Sequence, residues 1–242
     1  MNDVLSLQDV TFSYHPESTI LDGITMSVQD CESVALIGAN GAGKSTLLKL
    51  LVGLLTAQRG TVTVDGLTMC RNNLSRIRRA AGYVFQDAES QLFLANVRED
   101  VAFGPRNEGL PEPEVASRVS DALESVGITD LADRQVYKLS GGQKRLASIA
   151  TVLALRPKVL LLDEPTLALD PRNRRNVIRV LNGLKCAKLI ATHDLDFVLD
   201  ACSRVIVLSG GKLAANGSPD QILGDRELLE RHGLELPLSR RS

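Results

Sequence analysis

The sequence is poor in the residues that several common functions require. Among its 242 residues there is no tryptophan, and aromatic residues make up only 3%, which argues against a surface that stacks nucleic-acid bases. The formal net charge is −1, from 28 Lys and Arg against 29 Asp and Glu. Because no overall charge attracts nucleic acid or an anionic membrane, we expect no nucleic-acid partner.

Cysteine and long apolar runs are equally scarce. The four cysteines lie far apart and lack the spacing of a zinc site, a pattern typical of a reduced, cytosolic protein. The densest apolar stretch, 47–55, is about half as long as a membrane-spanning helix must be. A role at a membrane would therefore depend on a partner.

The hydrophobic pattern predicts strands that alternate with helices. Short apolar runs such as 33–37 and 159–162 are typical of buried parallel strands, and segments with helical spacing follow them. The first 30 or so residues alternate as antiparallel strands do, and the segment 85–141 is predicted to be nearly all helical. This indicates an α/β fold with a mostly parallel sheet, an N-terminal antiparallel β portion and an inserted helical lobe.

The strongest functional motif follows the run 33–37. It fits the phosphate-binding pattern GxxxxGK[ST] and lies between a predicted strand and a predicted helix. Its backbone N–H groups would wrap a phosphate, Lys44 would bridge the β- and γ-phosphates, and the Ser45 hydroxyl would hold Mg²⁺. The alternative is a glycine turn between a strand and a helix. The predicted nucleotide-binding residues of this motif are Gly38, Ala39, Asn40, Gly41, Ala42, Gly43, Lys44, Ser45 and Thr46.

An acidic pair ends the apolar run 159–162. Asp163 comes at the end of the predicted buried strand, where it can orient Mg²⁺ or its water. Glu164, one residue further, would accept a proton from the attacking water as general base. An acidic pair in this position can also begin a helix, but the phosphate loop favours the catalytic interpretation.

The segment LSGGQ, 139–143, predicts a second anion site. Ser140 is a natural N-cap, and the two glycines leave backbone N–H groups uncovered at a helix N-terminus. One nucleotide does not need two phosphate cradles. The second cradle makes sense if it closes on the γ-phosphate held by another subunit.

With these motifs in this order, the chain resembles the nucleotide-binding subunits of ABC (ATP-binding cassette) transporters over essentially its whole length. LSGGQ is the signature of that family, and the resemblance implies ATP hydrolysis with ATP and Mg²⁺ bound. It implies that Gln86 touches Mg²⁺ and reports to a membrane partner, that His193 contacts the γ-phosphate and that Tyr14 stacks on adenine. The catalytic residues so implied are Glu164, His193, Gln86 and Lys44. The further nucleotide-binding residues are Ser140, Gly141, Gly142, Gln143 and Asp170, and the Mg²⁺ ligands are Ser45, Gln86 and Asp163.

Two stretches resemble a subgroup of that family. The stretch 85–105 resembles the ATPases of energy-coupling-factor importers, and 231–237 resembles the C-terminal end of their cobalt and nickel branch. In the first stretch we expect Leu92, Phe93 and Phe103 to form an apolar groove for a short helix of a membrane partner. The alternative is ordinary packing of the helical lobe.

Two positions depart from the pattern. Ala88 stands where the subgroup usually carries proline. Leu167 stands where the family usually has a small or polar residue before the aspartate of the D-loop, the family motif that Ala168, Leu169 and Asp170 match. The second departure concerns the contact between two subunits rather than the fold.

These resemblances imply one ABC ATPase domain over 1–242, with a core of 1–86 and 157–224, a helical lobe at about 87–156 and a tail of 225–242. The expected partners are a second copy of the chain or a paralogous ATPase, an integral membrane energy-coupling component and a substrate-binding membrane component. The chain would lie peripherally at the cytoplasmic side of the membrane and drive uptake of cobalt, nickel or a vitamin. The alternatives are the ATPase of another ABC importer or exporter, and a soluble ABC ATPase without a transport role.

Overall fold

The computed structural model describes residues 3–240. The strands are β1 (Asp3–His15), β2 (Ser18–Gln29), β3 (Ser33–Ile37), β4 (Arg59–Val64), β5 (Leu67–Thr68), β6 (Ala81–Val84), β7 (Val159–Asp163), β8 (Ala187–Ala191), β9 (Arg204–Ser209) and β10 (Lys212–Gly217). The helices are α1 (Lys44–Leu51), α2 (Leu74–Ala80), α3 (Val97–Asn107), α4 (Glu112–Val126), α5 (Gly141–Leu153), α6 (Pro171–Gly183), α7 (Leu195–Ala201), α8 (Pro219–Gly224) and α9 (Arg226–Arg231).

The strands form two sheets. The antiparallel sheet has the order β2-β1-β4-β5. The mixed sheet has the order β10-β9-β3-β8-β7-β6, in which only the edge strand β10 pairs antiparallel with its neighbour. The predicted α/β fold with an N-terminal antiparallel portion is confirmed.

The mixed sheet is buried on both faces, and its side chains point alternately into two apolar cores. In β7, Val159 and Leu161 pack with the antiparallel sheet and α1, whereas Leu160 and Leu162 pack with the helices on the other face. All five residues of β7 are buried. Since a one-residue slip would exchange the two faces, this packing fixes which end of the strand carries Asp163.

Helices α3, α4 and α5 pack against one another as a helical lobe. The prediction that 85–141 is nearly all helical is wrong for 85–96, which contains neither helix nor strand. In this segment side chains satisfy the backbone: Asp100 accepts hydrogen bonds from the N–H groups of Phe93 and Leu94, and Asn96 caps α3. Such local bonds compete with helix formation.

Strands β3, β8, β7 and β6 end at one edge of the mixed sheet. Leu36 and Asp163 both pair with Ala191, and Val84 pairs with Leu162. The segments that follow these strands therefore meet at the carboxyl edge, where open α/β sheets bind ligands. Within 3–240, no helix has the length and apolar character needed to cross a bilayer.

Candidate functional site

The segment between β3 and α1 forms a loop whose conformation depends on glycine. Gly41 and Gly43 have φ angles of 78° and 104°, in the left-handed region that other residues rarely adopt. A Cβ on Gly38 would lie 2.2 Å from the carbonyl oxygen of Leu208, so β9 passes too close for a side chain there. The loop leads directly into the first turn of α1, where free backbone N–H groups favour a phosphate.

Lys44 lies across this loop. The residue is buried, and its Nζ donates hydrogen bonds to the carbonyl oxygens of Gly38 (2.7 Å) and Ala39 (3.2 Å). Burial lowers the pKa of Lys44, whereas the nearby carboxylates of Glu164 and Asp163 raise it. Its two hydrogen-bond partners within the described chain are neutral, so a bound phosphate would be the first direct anionic partner of this cation.

Asp163 ends β7 beside the loop and is held by the adjacent strand. It is only 4% exposed, and the hydroxyl of Tyr83 on β6 donates a hydrogen bond to its Oδ2 (3.1 Å). Burial and the negative charge of Asp163 raise the pKa of the Tyr83 phenol, so the phenol stays protonated and acts as a donor. This contact fixes the carboxylate in one orientation.

Glu164 follows with a backbone conformation that is rare for a side-chain-bearing residue, at φ 48°. Its Oε2 accepts hydrogen bonds from the Thr192 hydroxyl (3.1 Å) and the backbone N–H of His193 (3.2 Å). The Nδ1 atom of His193 lies 2.9 Å from the same oxygen. The segment after β8 thus orients a buried carboxylate from three sides, and strained backbone of this kind is common at active sites.

These groups line one cleft of about 500 Å³. Its lining consists of Tyr14, Ile20, Asn40, Gly41, Ala42, Gly43, Lys44, Ser45, Thr46, Gln86, Asp163, Glu164, Leu167 and His193. Tyr14 is half exposed and its hydroxyl lies 3.2 Å from Thr46 Oγ1. Gly38 and Ala39 do not line the cleft, but their carbonyl oxygens hold Lys44. The cleft combines backbone donors, a lysine and two carboxylates, as a nucleotide with its metal ion requires.

The signature residues lie in a different place. Ser140 caps α5 through a reciprocal capping box with Gln143, and Asp170 caps α6 by accepting from the N–H groups of Arg172 and Asn173. Ser140, Gln143 and Asp170 line a separate groove of about 420 Å³, and none of them lines the cleft at the phosphate loop. The structure therefore divides the predicted nucleotide-binding residues into two groups.

The prediction that Leu92, Phe93 and Phe103 form an apolar groove is partly wrong. Leu92 is 6% exposed and belongs to the core of the helical lobe, where the alternative of ordinary packing applies. Phe93 and Phe103 are 62% and 47% exposed, and their rings meet edge to face with centroids 5.0 Å apart. What remains of the groove is an exposed aromatic pair.

Sequence reasoning missed three residues that position the site. Tyr83 holds Asp163, Thr192 holds Glu164, and Arg145 of α5 donates to the backbone carbonyl oxygens of Phe85 and Gln86. The only sequence signal was their placement on or just after predicted elements, which does not reveal a partner 28 to 80 residues away. Such contacts become visible only when the sheet is assembled.

The strand, glycine loop and helix with a buried lysine, together with the carboxylate pair on a strand of the same sheet, define a P-loop nucleoside triphosphatase. Residues 21–167 match the ABC transporter family. The chain belongs to this family and is an ABC-type ATPase.

Similar proteins cover almost the whole chain. A putative ABC transporter ATP-binding protein of Geobacter sulfurreducens is 48% identical over 236 residues, which is 98% of this chain and 95% of that protein. The energy-coupling factor transporter ATP-binding protein EcfA of Methanothermobacter thermautotrophicus is 44% identical over 97% of this chain and 77% of its own length. The solved structure of CbiO1 from Clostridium perfringens, described as part of the ABC transporter complex cbiONQ, superposes with a TM-score of 0.87 at 36% identity, over 96% of this chain and 94% of that one. The predicted resemblance to energy-coupling-factor ATPases of the cobalt branch is confirmed.

Proposed function

We propose that this ATPase is the motor subunit of an energy-coupling-factor importer for cobalt, nickel or a vitamin, in which two copies bind two ATP molecules between them. The observation that carries this proposal is the division of the site: the phosphate loop and carboxylates line one cleft, and the signature residues line another groove. A site split in this way on one chain becomes complete when a second chain faces it. The second chain is a copy of this one or a paralogous ATPase, since both halves are present here.

In the proposed reaction the phosphate loop and Lys44 bind the β- and γ-phosphates of ATP. A water oxygen attacks the γ-phosphorus, the bond from that phosphorus to the β–γ bridging oxygen breaks, and Glu164 takes the proton of the water. The hydrogen bonds from Thr192 and His193 to Oε2 hold this carboxylate in place, which leaves its other oxygen, Oε1, for the water. The ring of His193 is half exposed and is assigned to the γ-phosphate.

The donor set at the cleft fits Mg²⁺. This ion prefers oxygen ligands and usually combines one or two carboxylates with phosphates and waters. Asp163 supplies a carboxylate, Gln86 an amide oxygen and Ser45 a hydroxyl, and all three line the cleft. Within 3–240 the Ser45 hydroxyl has no hydrogen-bond partner, so it is available as a ligand. When bound, Mg²⁺ neutralises charge on the phosphates.

The proposed membrane partners are an integral energy-coupling component and a substrate-binding component, with this chain at the cytoplasmic side of the membrane. The exposed pair Phe93 and Phe103 supports this part of the proposal, because a large exposed aromatic surface is typical of a docking site. Phe93 lies on the segment between β6 and α3 that also carries Gln86, a residue that lines the ATP cleft, and Phe103 lies in α3. A soluble ABC ATPase without a membrane partner would have no use for this exposed aromatic pair.

The substitution Glu164→Gln tests the proposal. The amide keeps an oxygen that can accept from Thr192 and His193, but it cannot take the proton of water. We expect ATP binding to persist, turnover to fall by about 10²- to 10⁴-fold, and an ATP-bound dimer to accumulate. The measurements are phosphate release and the molar mass in Mg·ATP by light scattering.

Glu230→Gln, a change of the same kind at an exposed position of α9, is the control and should behave as the parent does. A Glu164→Gln protein that hydrolyses ATP near the parent rate contradicts the role of Glu164. One that stays monomeric with ATP bound contradicts the site shared by two copies.

A further inference from the structure

Arg145 joins the helix of the signature to the backbone that carries Gln86. It lies in α5, five residues after Ser140, and is 4% exposed. Its Nη1 donates to the carbonyl oxygen of Phe85 (2.7 Å), and its Nη2 donates to the carbonyl oxygen of Gln86. A single side chain of the helical lobe thus holds two consecutive peptide groups directly after β6.

Gln91 makes a second connection between the same elements. Its Oε1 accepts from the backbone N–H of Phe85 (3.0 Å), and its Nε2 donates to the Ser148 carbonyl oxygen and the Thr151 hydroxyl of α5, both at 2.8 Å. Both backbone groups of Phe85 are therefore bound to α5, one through Gln91 and one through Arg145. We call Arg145 and Gln91 the two struts.

Arg145 is energetically unfavourable at this buried position if its side chain only fills space. Burial lowers the pKa of Arg145, whereas the negative charges of Asp87 and Asp163 raise it. Its Nε is buried and has no hydrogen-bond partner in the same part of the chain. A buried cation with neutral partners is costly, yet the guanidinium is retained here on two consecutive peptide oxygens, those of Phe85 and Gln86. This suggests that the contact serves the reaction.

We propose that Arg145 is a positioning residue that makes Gln86 and the N-terminus of α5 move together, so that ATP bound in the cleft of one copy sets where that copy presents Ser140 to the second ATP. Ser140, Gln143 and Asp170 line a groove apart from the cleft that Gln86 lines, and the proposed coupling needs a connection between the two. The struts provide it through two side chains and one helix. This inference rests on the proposed shared site.

The test uses Arg145→Gln in the Glu164→Gln background, where ATP-bound dimers accumulate. We expect the Mg·ATP concentration for half-maximal dimer formation to rise about 10-fold or more, the order of effect for losing hydrogen bonds from a cationic donor. The affinity of the monomer for ATP, measured by calorimetry with EDTA in place of magnesium, should change less than about 2-fold, because the phosphate loop is untouched. If Arg145 had only a structural role, the substitution would weaken both the binding of ATP to the monomer and the formation of the dimer, or it would weaken neither.

Three further variants complete the experiment. Arg145→Lys keeps the positive charge and a hydrogen-bond donor, so it should form the dimer more readily than Arg145→Gln but less readily than the parent. Gln91→Leu removes the second strut without disturbing the buried cation, should shift dimer formation in the same direction, and carries the test if Arg145→Gln does not fold. Arg156→Gln is the matched control, since Arg156 follows α5, is exposed and pairs with the exposed Asp121, and it should match the parent.

The outcomes separate the two proposals. A Glu164→Gln parent that stays monomeric in Mg·ATP overturns the shared site and this inference with it. A parent that dimerises while Arg145→Gln and Gln91→Leu dimerise at the same ATP concentration overturns this inference alone. Equal losses of monomer affinity and dimer formation also overturn it.

Discussion

The two glycines of the signature lie next to each other but have different surroundings. A Cβ on Gly142 would lie 2.2 Å from Cγ and 2.7 Å from Cβ of Asn173, so α6 or the Asn173 side chain must move. A Cβ on Gly141 would meet nothing within 4 Å. We therefore predict that Gly142→Ala destabilises the chain relative to Gly141→Ala.

The magnitude follows from overpacking. Both changes gain the same helix propensity, which cancels in the comparison. Forcing extra atoms into a packed contact costs about 1–3 kcal/mol. For a chain of this size about 1 kcal/mol corresponds to roughly 2–4 °C in the melting temperature, so the Tm of Gly142→Ala should lie roughly 2–12 °C below that of Gly141→Ala.

The assay is thermal unfolding without nucleotide, followed by phosphate release at saturating Mg·ATP. Gly141→Ala should be at least as stable as the parent, because alanine has the higher helix propensity. It should lose activity, because the added methyl group would occupy open space next to Ser140 that is assigned to the second nucleotide. Equal melting temperatures for the two variants would refute the close contact between Gly142 and Asn173. A fully active Gly141→Ala protein would refute the role of this surface in the shared site.

Two further predictions concern other parts of the chain. Phe93→Asp should leave the subunit folded and able to bind ATP, since the side chain is 62% exposed, but the subunit should no longer co-purify with the membrane component in detergent, because truncation of such anchors costs about 1–3 kcal/mol. Leu54→Asp, at another exposed apolar residue, is the control. A Phe93→Asp subunit that still co-purifies with the membrane component would contradict the docking surface. Burial raises the pKa of Asp100 in spite of the N–H groups of Phe93 and Leu94, which lower it. Between the unfolded and the raised folded value the native state binds more protons, so this group makes the free energy of unfolding fall as pH rises. Asp100→Asn should therefore gain in Tm relative to the parent as the pH rises above about 4, where an ordinary aspartate ionises, and a gain that is largest in acid would contradict the assignment.

Much of the site was predictable because its motifs depend on local chain order. The phosphate loop must follow a buried strand and precede a helix, and β3 and α1 lie where this rule puts them. Asp163 was placed at a strand end by the four apolar residues before it. The residue roles assigned to Tyr14, Gln86, His193 and Asp170 came from the family resemblance, and they stay predictions.

The contacts that hold these residues were not predictable for a physical reason. Tyr83 reaches Asp163 because β6 and β7 are neighbours in the sheet, and Arg145 reaches Phe85 because α5 packs beside β6. Neither neighbour relation has a local signal in the sequence. Leu92 and Phe93 are both apolar and adjacent in sequence, and only the packing of the lobe decides that one is buried and the other exposed.

The choice of caps on α5 and α6 explains why one of these helix ends is suited to an outside anion. Both helices have 13 residues, and they begin at the same groove, so their positive ends face one region. Asp170 neutralises the end of α6, since the N–H groups of Asn173 and Arg172 hold the pKa of its carboxyl below the usual value. Ser140 caps α5 with a neutral hydroxyl and leaves the charge of that end uncompensated. A phosphate that approaches the groove from a second copy would therefore be attracted to α5 rather than to α6, which is the arrangement that the shared ATP site requires.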